Sequence, residues 1–198
     1  LYSLLGAVII KKPLTISEQV EILVKEIIKG CRKRHRESQK ELYKMFYAYG
    51  MSITLRYAES RDQAVAILND AFMKVFTNIT KYDTERPFKP WFRRIVVNTA
   101  INHFHRNERD QPLEDLGVAE ERLMSKEENI ISGISYDEII DMVQQLTPGY
   151  RTVFNLYVIE GFKHHEIAAM LDISVGTSKS NLAKAKRNLQ SILEKNFI

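Results

Sequence analysis

Between Val65 and Ile79 the apolar residues Val65, Leu68, Phe72, Val75 and Ile79 recur three or four positions apart, with Phe76 beside Val75. At 3.6 residues per turn this spacing forms one apolar stripe along a helix, which is read as core. The opposite face carries Asn69, Asp70, Lys74 and Asn78, available to a partner. Val20, Ile22, Leu23, Ile27 and Ile28 follow the same period between Ser17 and Gly30, where Gly30 is expected to end the helix. A third such run, Leu42, Tyr43, Phe46, Tyr49, Ile53 and Tyr57, predicts a long helix from Ser38 to Tyr57 that breaks or kinks near Gly50. The basic run from Arg32 to Arg36 between them reads as a solvated turn, and Asp62 as the cap or first turn of the Val65 helix. No segment sustains the alternation of a half-buried strand, so the expected fold class is all-α.

"KYDTERPFKP" is a turn with two prolines, and it leads into a helix from Trp91 to about Arg106. Phe88, Trp91, Phe92, Ile95 and Val96 supply its buried side. Arg94, Asn98, Asn102, Arg106 and Arg109 recur every four or three residues and therefore share the other face. Asn and Arg without neutralising carboxylates suit bases and phosphates, although a plain solvent face has the same pattern. Trp91, Phe88 and Phe92 form either an aromatic platform for an unstacked base or part of the core, with Phe92 assigned to the core.

Charge divides the chain. From Pro112 to Glu138 eight acidic residues face two basic ones, so this stretch carries about −6 and the remainder about +10 of the net +4. The acidic stretch, residues 111–135, reads as a linker with a short helix near Glu120 to Glu127. Basic flanks around it suggest two nucleic-acid-facing modules; ordinary solvated faces account for the charge equally well. Cys31 is the single cysteine, which excludes an internal disulfide or a multi-cysteine metal site and fits a reducing cytoplasm. Arg32 and Lys33 beside it favour a lowered thiol pKa, but Cys31 is left without a role. Residues 1–16, opening "LYSLLGAVII", are too short an apolar run to span a bilayer and have no preceding basic segment. They are expected to form a loosely docked extension.

A second helical unit is expected from Tyr136. Ile139, Ile140, Met142, Val143 and Leu146 give one helix, and Thr147-Pro148 starts another that carries Val153, Phe154, Leu156, Tyr157 and Val158 to Gly161. The stretch "FKHHEIAAMLDISVGTSKSNL" then admits two readings. A zinc hydrolase helix needs H-E-x-x-H, but four residues after His165 stands Ala169. Adjacent His164 and His165 diverge by about 100° on a helix, so they do not share a metal. The other reading is a helix-turn-helix. Ile167, Ala168 and Leu171 face inward, Asp172 suits a left-handed turn residue, Ile173 plugs the core and Ser174 caps a helix from Val175 to Leu193. That helix is anchored by Leu182, Ala185, Leu189 and Ile192. It exposes Thr177, Lys179, Ser180, Asn181, Lys184, Lys186 and Arg187, small polar and basic side chains suited to the major groove. No catalytic motif, phosphate loop or dinucleotide fingerprint is present, so no catalytic, metal, cofactor or small-molecule substrate site is assigned.

"LTPGYRTVFNLYVIEGFKHHEIAAMLDISVGTSKSNLAKAKRNL" resembles region 4 of bacterial sigma factors of the sigma-70 family, in particular the extracytoplasmic-function subfamily. "PFKPWFRRIVVNTAINHFHRNER" resembles the end of region 2, and "AILNDAFMKVFTNI" the segment before it. The resemblance covers roughly residues 25 to 198 and implies two helical domains. Region 2, at 17–110, would bind core polymerase and melt the −10 element. Region 4, at 136–198, would read the −35 element, with the acidic linker between them. Asn98 matches the flipped-base pocket, with Trp91, Arg94, Asn102 and Arg106 near it on the single-strand face. Thr177, Lys179, Ser180, Asn181, Ala183, Lys184 and Arg187 match the −35 recognition helix. Asn69, Asp70 and Lys74 match the helix that docks on the clamp coiled coil of the largest polymerase subunit, while region 4 sits on the flap of the second-largest. Promoter DNA and an anti-sigma factor, often membrane-bound in the family, are the other implied partners of a cytoplasmic, non-enzymatic protein.

Three departures stand out. Val65 and Ala66 replace acidic residues, Ser178 replaces a common Val, and Asn181 replaces a common Arg. Two rivals remain open on sequence: a conventional regulator that binds operator DNA without a sigma role, and a nucleic-acid enzyme using the His165-Glu166 pair.

Overall fold

A computed structural model describes residues 16–110 and 135–197. The described residues form eight α-helices and no strands. They are α1 (Ile16–Arg32), α2 (Arg36–Thr54), α3 (Arg61–Asn78), α4 (Phe88–Asp110), α5 (Tyr136–Gln144), α6 (Pro148–Phe154), α7 (His164–Leu171) and α8 (Val175–Phe197). A 3₁₀ turn, Ile79–Lys81, extends α3, and a wide π turn, Asn155–Ile159, extends α6. The expected extension and the expected linker helix near Glu120 lie outside the described residues, as does the side chain of Arg109.

Helices α1 to α4 pack as one bundle in which α2, α3 and α4 all touch one another and α1 lies on α2. Their aromatic residues make its centre. Phe92 is wholly buried, with ring centroids 5.0 Å from Phe72, 5.6 Å from Phe46 and 5.9 Å from Phe88. Leu68, Phe72, Val75 and Ile79 are buried as the stripe predicts, with Val65 and Phe76 half-buried. Ser60 caps α3 by accepting from the Gln63 amide, and Asp62 lies in the first turn, the second of the two places expected for it.

Both glycine expectations need correction. Helix α1 runs through Gly30 to Arg32, and α2 runs unbroken through Gly50. A Cβ at Gly30 would overlap the Ser38 hydroxyl, and one at Gly50 would overlap Leu68. Each glycine permits a close helix–helix approach and does not punctuate. The chain reverses after α1 through Arg34, whose φ is +61°. Arg32 stays exposed but is the last residue of α1 rather than part of the turn, and its guanidinium donates to the Ile79 and Tyr82 carbonyls at 3.3 and 2.5 Å. On α1 the buried face is Val24, Ile27, Ile28 and Cys31, while Val20, Ile22 and Leu23 are about half exposed. Burial, followed by the Glu41 charge, pushes the Cys31 thiol up to about 11, opposite to the lowering expected from its basic neighbours.

Helices α5, α6 and α7 pack on the long α8. Ser135 and Glu138 form a capping box at the start of α5. Pro148 occupies the first turn of α6 as expected. The apolar pattern beyond Leu156 fails for a geometric reason. The π turn, closed by Glu160 N–H donating to the Asn155 carbonyl at 2.9 Å, shifts the helical register. Tyr157 and Val158 consequently point outward, 39% and 50% exposed.

The two helix groups share one continuous core. Val153, Leu156, Ile167, Leu171 and Leu182 join the cluster of α1 to α4, and α4 touches both α6 and α7. Among the described residues no helix is long and apolar enough to cross a membrane.

Candidate nucleic-acid interface

The helix-turn-helix is built by local chemistry. Glu166 accepts from the Lys163 amide at 2.7 Å, which fixes the entry to α7. Asp172 ends α7 with φ +54° and ψ +44°, the left-handed turn expected of it. Ser174 caps α8 by accepting from the Thr177 amide at 2.9 Å. The inward residues Ile167, Ala168 and Leu171 are buried, and Ile173 is half-buried.

Along α8, Thr177, Lys179, Lys186 and Arg187 are exposed, and Ser180, Asn181, Ala183 and Lys184 are partly so. Lys184 also reaches the Tyr150 ring, 5.8 Å from its centroid. Ser178 does not belong to this surface. It is wholly buried and shares a hydrogen bond of 3.0 Å with Nδ1 of His164, whose ring stacks on Tyr157 at 4.5 Å. Burial, then the charges of Lys179 and Lys186, lower the His164 pKa, so the neutral imidazole is the form that holds α8 to α7. Ser178→Ala is expected to cost about 1 kcal/mol by urea unfolding, the net value of one such bond. A cost near zero would show that His164 finds another partner. Among the described residues no three His, Cys, Asp or Glu side chains gather as a metal site, and His165 is exposed.

The second polar face lies on α4. Arg94, Asn98, Asn102 and Arg106 are all exposed on one side of the helix. The aromatic platform is smaller than the sequence allows. Phe88 and Phe92 are buried, which leaves half-buried Trp91, backed by Tyr82 at 4.8 Å and Phe88 at 5.6 Å. On α3 the polar face is partly engaged already. Asn69 accepts from the Tyr43 hydroxyl at 3.0 Å, and Asp70 pairs with His103 at 2.8 Å. Lys74 is half-buried. Asn69 and Asp70 are thus tied to α2 and α4, which fixes the pose of that face.

The most constrained polar residues are ones no motif singled out. The Glu160 carboxylate, 5% exposed, accepts from Arg93 Nε at 2.6 Å and pairs with Arg56 at 3.5 Å. Its hydrogen bond holds the Arg93 guanidinium pKa further above its ordinary value. Arg151, 3% exposed, donates to the carbonyls of Ala58, Gln144 and Leu146 at 2.7 to 2.8 Å and of Tyr57 at 3.4 Å. Asn155 donates to the Arg56 carbonyl, Gln144 to that of Leu55 and His105 to that of Met170. Apart from the Arg151 bonds to Gln144 and Leu146, which stay within the second group, these contacts join one helix group to the other. Arg151 and Asn155 stand four apart within an apolar run, which was the available signal of a buried polar face. Arg93, Arg94, Val97, Asn98, Glu160 and Met170 line an open cleft of about 570 Å³ between the groups.

Two family models match the chain. Sigma-70 region 2 covers residues 42–110, and sigma-70 region 4 covers residues 136–189. The chain therefore belongs to the sigma-70 family of transcription initiation factors, within its extracytoplasmic-function group. The ECF RNA polymerase sigma factor SigW of Bacillus subtilis (strain 168) is 24% identical over 184 residues, covering 88% of this chain and 98% of the relative. The ECF RNA polymerase sigma-E factor of Escherichia coli (strain K12) is 26% identical over 189 residues, covering 89% and 96%. Among solved structures, the sigma factor RpoE in complex with the anti-sigma factor NepR from Bartonella quintana overlaps 90% of this chain and 98% of its own. Its TM-score is 0.45 and its identity 17%.

Proposed function

We propose that this protein binds RNA polymerase core in the cytoplasm and directs it to a specific set of promoters, catalysing no reaction itself. Residues 17–110 serve as region 2, 111–135 as a linker and 136–198 as region 4. The observation that carries this reading is the pair of separate faces rich in Arg, Lys and Asn, on α4 and α8, in a chain matched by both sigma regions. The α8 face, with Thr177, Lys179, Ser180, Asn181, Ala183, Lys184 and Arg187, enters the major groove of the −35 element. The α4 face, with Trp91, Arg94, Asn98, Asn102 and Arg106, holds the unpaired strand at −10, where a base stacks on Trp91 and meets Asn98. Asn69, Asp70 and Lys74 dock on the clamp coiled coil, and region 4 on the flap. Membership of the ECF group also supports an anti-sigma factor as a further partner.

In vitro transcription with core polymerase over a promoter library tests this. Defined start sites are expected; failure to bind core with duplex binding intact would leave an operator-binding regulator. Asn98→Ala is expected to reduce permanganate reactivity at −10 while leaving closed-complex binding in place. Lys179→Ala is expected to weaken −35 duplex binding by about 1–3 kcal/mol, the value of one base contact. Equal loss of opening and closed-complex binding would assign Asn98 a structural role only.

A further inference from the structure

Arg56 and Arg93 are not used by the function proposed above, yet both pair with the one buried Glu160 carboxylate, at 3.5 and 2.6 Å. They come from different places in the first helix group, the chain after α2 and the first turns of α4, and converge on a single carboxylate. That carboxylate, Glu160, arrives from the second group, at the end of the π turn. Arg93 also donates to the Ile159 carbonyl at 3.4 Å. Two guanidinium groups aimed at one point make an anion seat, because each presents N–H donors in a fork that fits a pair of anionic oxygens. A phosphodiester offers the same charge and the same pair of oxygens as a carboxylate. The seat also opens onto the cleft lined by Arg94 and Asn98, so it adjoins the face assigned to unpaired DNA.

The seam around the seat is poorly satisfied. Arg56 Nε, the Tyr57 hydroxyl, Arg151 Nε and Asn155 Oδ1 are buried polar atoms without a hydrogen-bond partner, and all four residues make contacts across it or flank those that do. Unmet buried polar groups are unfavourable, so separating the groups and wetting these atoms returns part of what the ion pairs lose.

We propose that Arg56 and Arg93 form a seat for a backbone phosphate of the single-stranded promoter DNA, and that Glu160 occupies it as an internal substitute while the two regions are packed together. The placement of that strand rests on the α4 reading above; the anion seat itself does not. Region 4 must lift Glu160 away before the phosphate enters. The ion pairs that close the molecule are thereby exchanged for equivalent ones to DNA.

The test uses the full chain, a fluorescein-labelled single strand of mixed sequence twelve nucleotides long, and anisotropy across a KCl series, with radius of gyration measured by small-angle scattering. Glu160→Gln, nearly the same shape, is expected to raise the radius of gyration and to tighten oligonucleotide binding about tenfold at low salt. The slope of log K against log salt should steepen by about 0.7, the value for one added phosphate contact on a single strand. Arg93→Gln is expected to open the molecule as well but to bring no gain in affinity. Adding it to Glu160→Gln should remove the extra slope. The reversed pair, Glu160→Arg with Arg93→Glu, keeps the closing contact and should bind no better than the parent chain. Unchanged affinity in Glu160→Gln, or an equal gain in Arg93→Gln, would overturn the proposal. Asn98→Ala in the Glu160→Gln background separates the two readings. It should weaken binding without altering the salt slope, and no weakening would reject the α4 base face while the slope alone judges the seat.

Discussion

Phe92→Ala is expected to destabilise the first helix group by about 3–5 kcal/mol in denaturant unfolding, the usual range for a buried phenylalanine. The ring is wholly buried and lies at the meeting point of α2, α3 and α4, against Phe46, Tyr49, Phe72 and Phe88. Its removal leaves a cavity walled by rigid rings on three helices, so little collapse can offset the lost contacts. Phe92 sits two residues from Arg94 and points to the opposite side of α4. Promoter opening should therefore weaken together with stability. A loss under about 1 kcal/mol would mean that the aromatic cluster is not the closely packed centre of the group.

Arg151→Ala is expected to have a comparable effect through different chemistry. The Arg151 guanidinium is buried and among the described residues has no carboxylate within ion-pair distance; four backbone carbonyls accept its protons. Two of these, Gln144 and Leu146, shape the α5–α6 turn, and the others, Tyr57 and Ala58, belong to the first helix group. Truncation strands several buried acceptors at once, at about 1–3 kcal/mol each. We expect about 3–5 kcal/mol of lost stability in thermal or urea unfolding, within the range for a broken buried network. The radius of gyration should rise as the helix groups lose their link. Arg151→Lys should recover only part, because a single ammonium cannot reach donors spread over both groups. Full recovery by lysine would show that charge alone, not the fork of donors, holds the turn.

The helices were legible because amphipathic period is local information. Phe72 and Leu68 announce the buried face of α3, and Asp172 and Ser174 announce the turn and cap of the helix-turn-helix through backbone chemistry that needs no distant partner. Exposure of Arg94, Asn98, Asn102 and Arg106 on one side of α4 follows from their spacing in the same way. What sequence could not show depends on neighbours. Gly30 and Gly50 look like helix breakers until Ser38 and Leu68 are seen against them. Tyr157 and Val158 continue an apolar run, but the π turn rotates them to solvent. Spacing left Phe88 open to a base or to the core, and its packing against Phe46, Tyr82 and Phe92 decides for the core. The Glu160 pairs join residues 67 and 104 positions apart, a separation at which no spacing rule operates.

The packing of the two groups also sets a length. The −10 and −35 elements lie about 25 base pairs apart, or about 85 Å along duplex DNA at ~3.4 Å per pair. A compact chain of 198 residues has a radius of gyration of about 16 Å, hence a greatest width near 40 Å. The packed form is too short a ruler to touch both elements at once. The stretch of chain between Asp110 and Ser135 can reach at most ~90 Å when fully drawn out. With α4 and α8 reading the two elements as proposed, contact with both at once requires the helix groups to separate, so the length of that stretch would limit the promoter spacings the molecule can span.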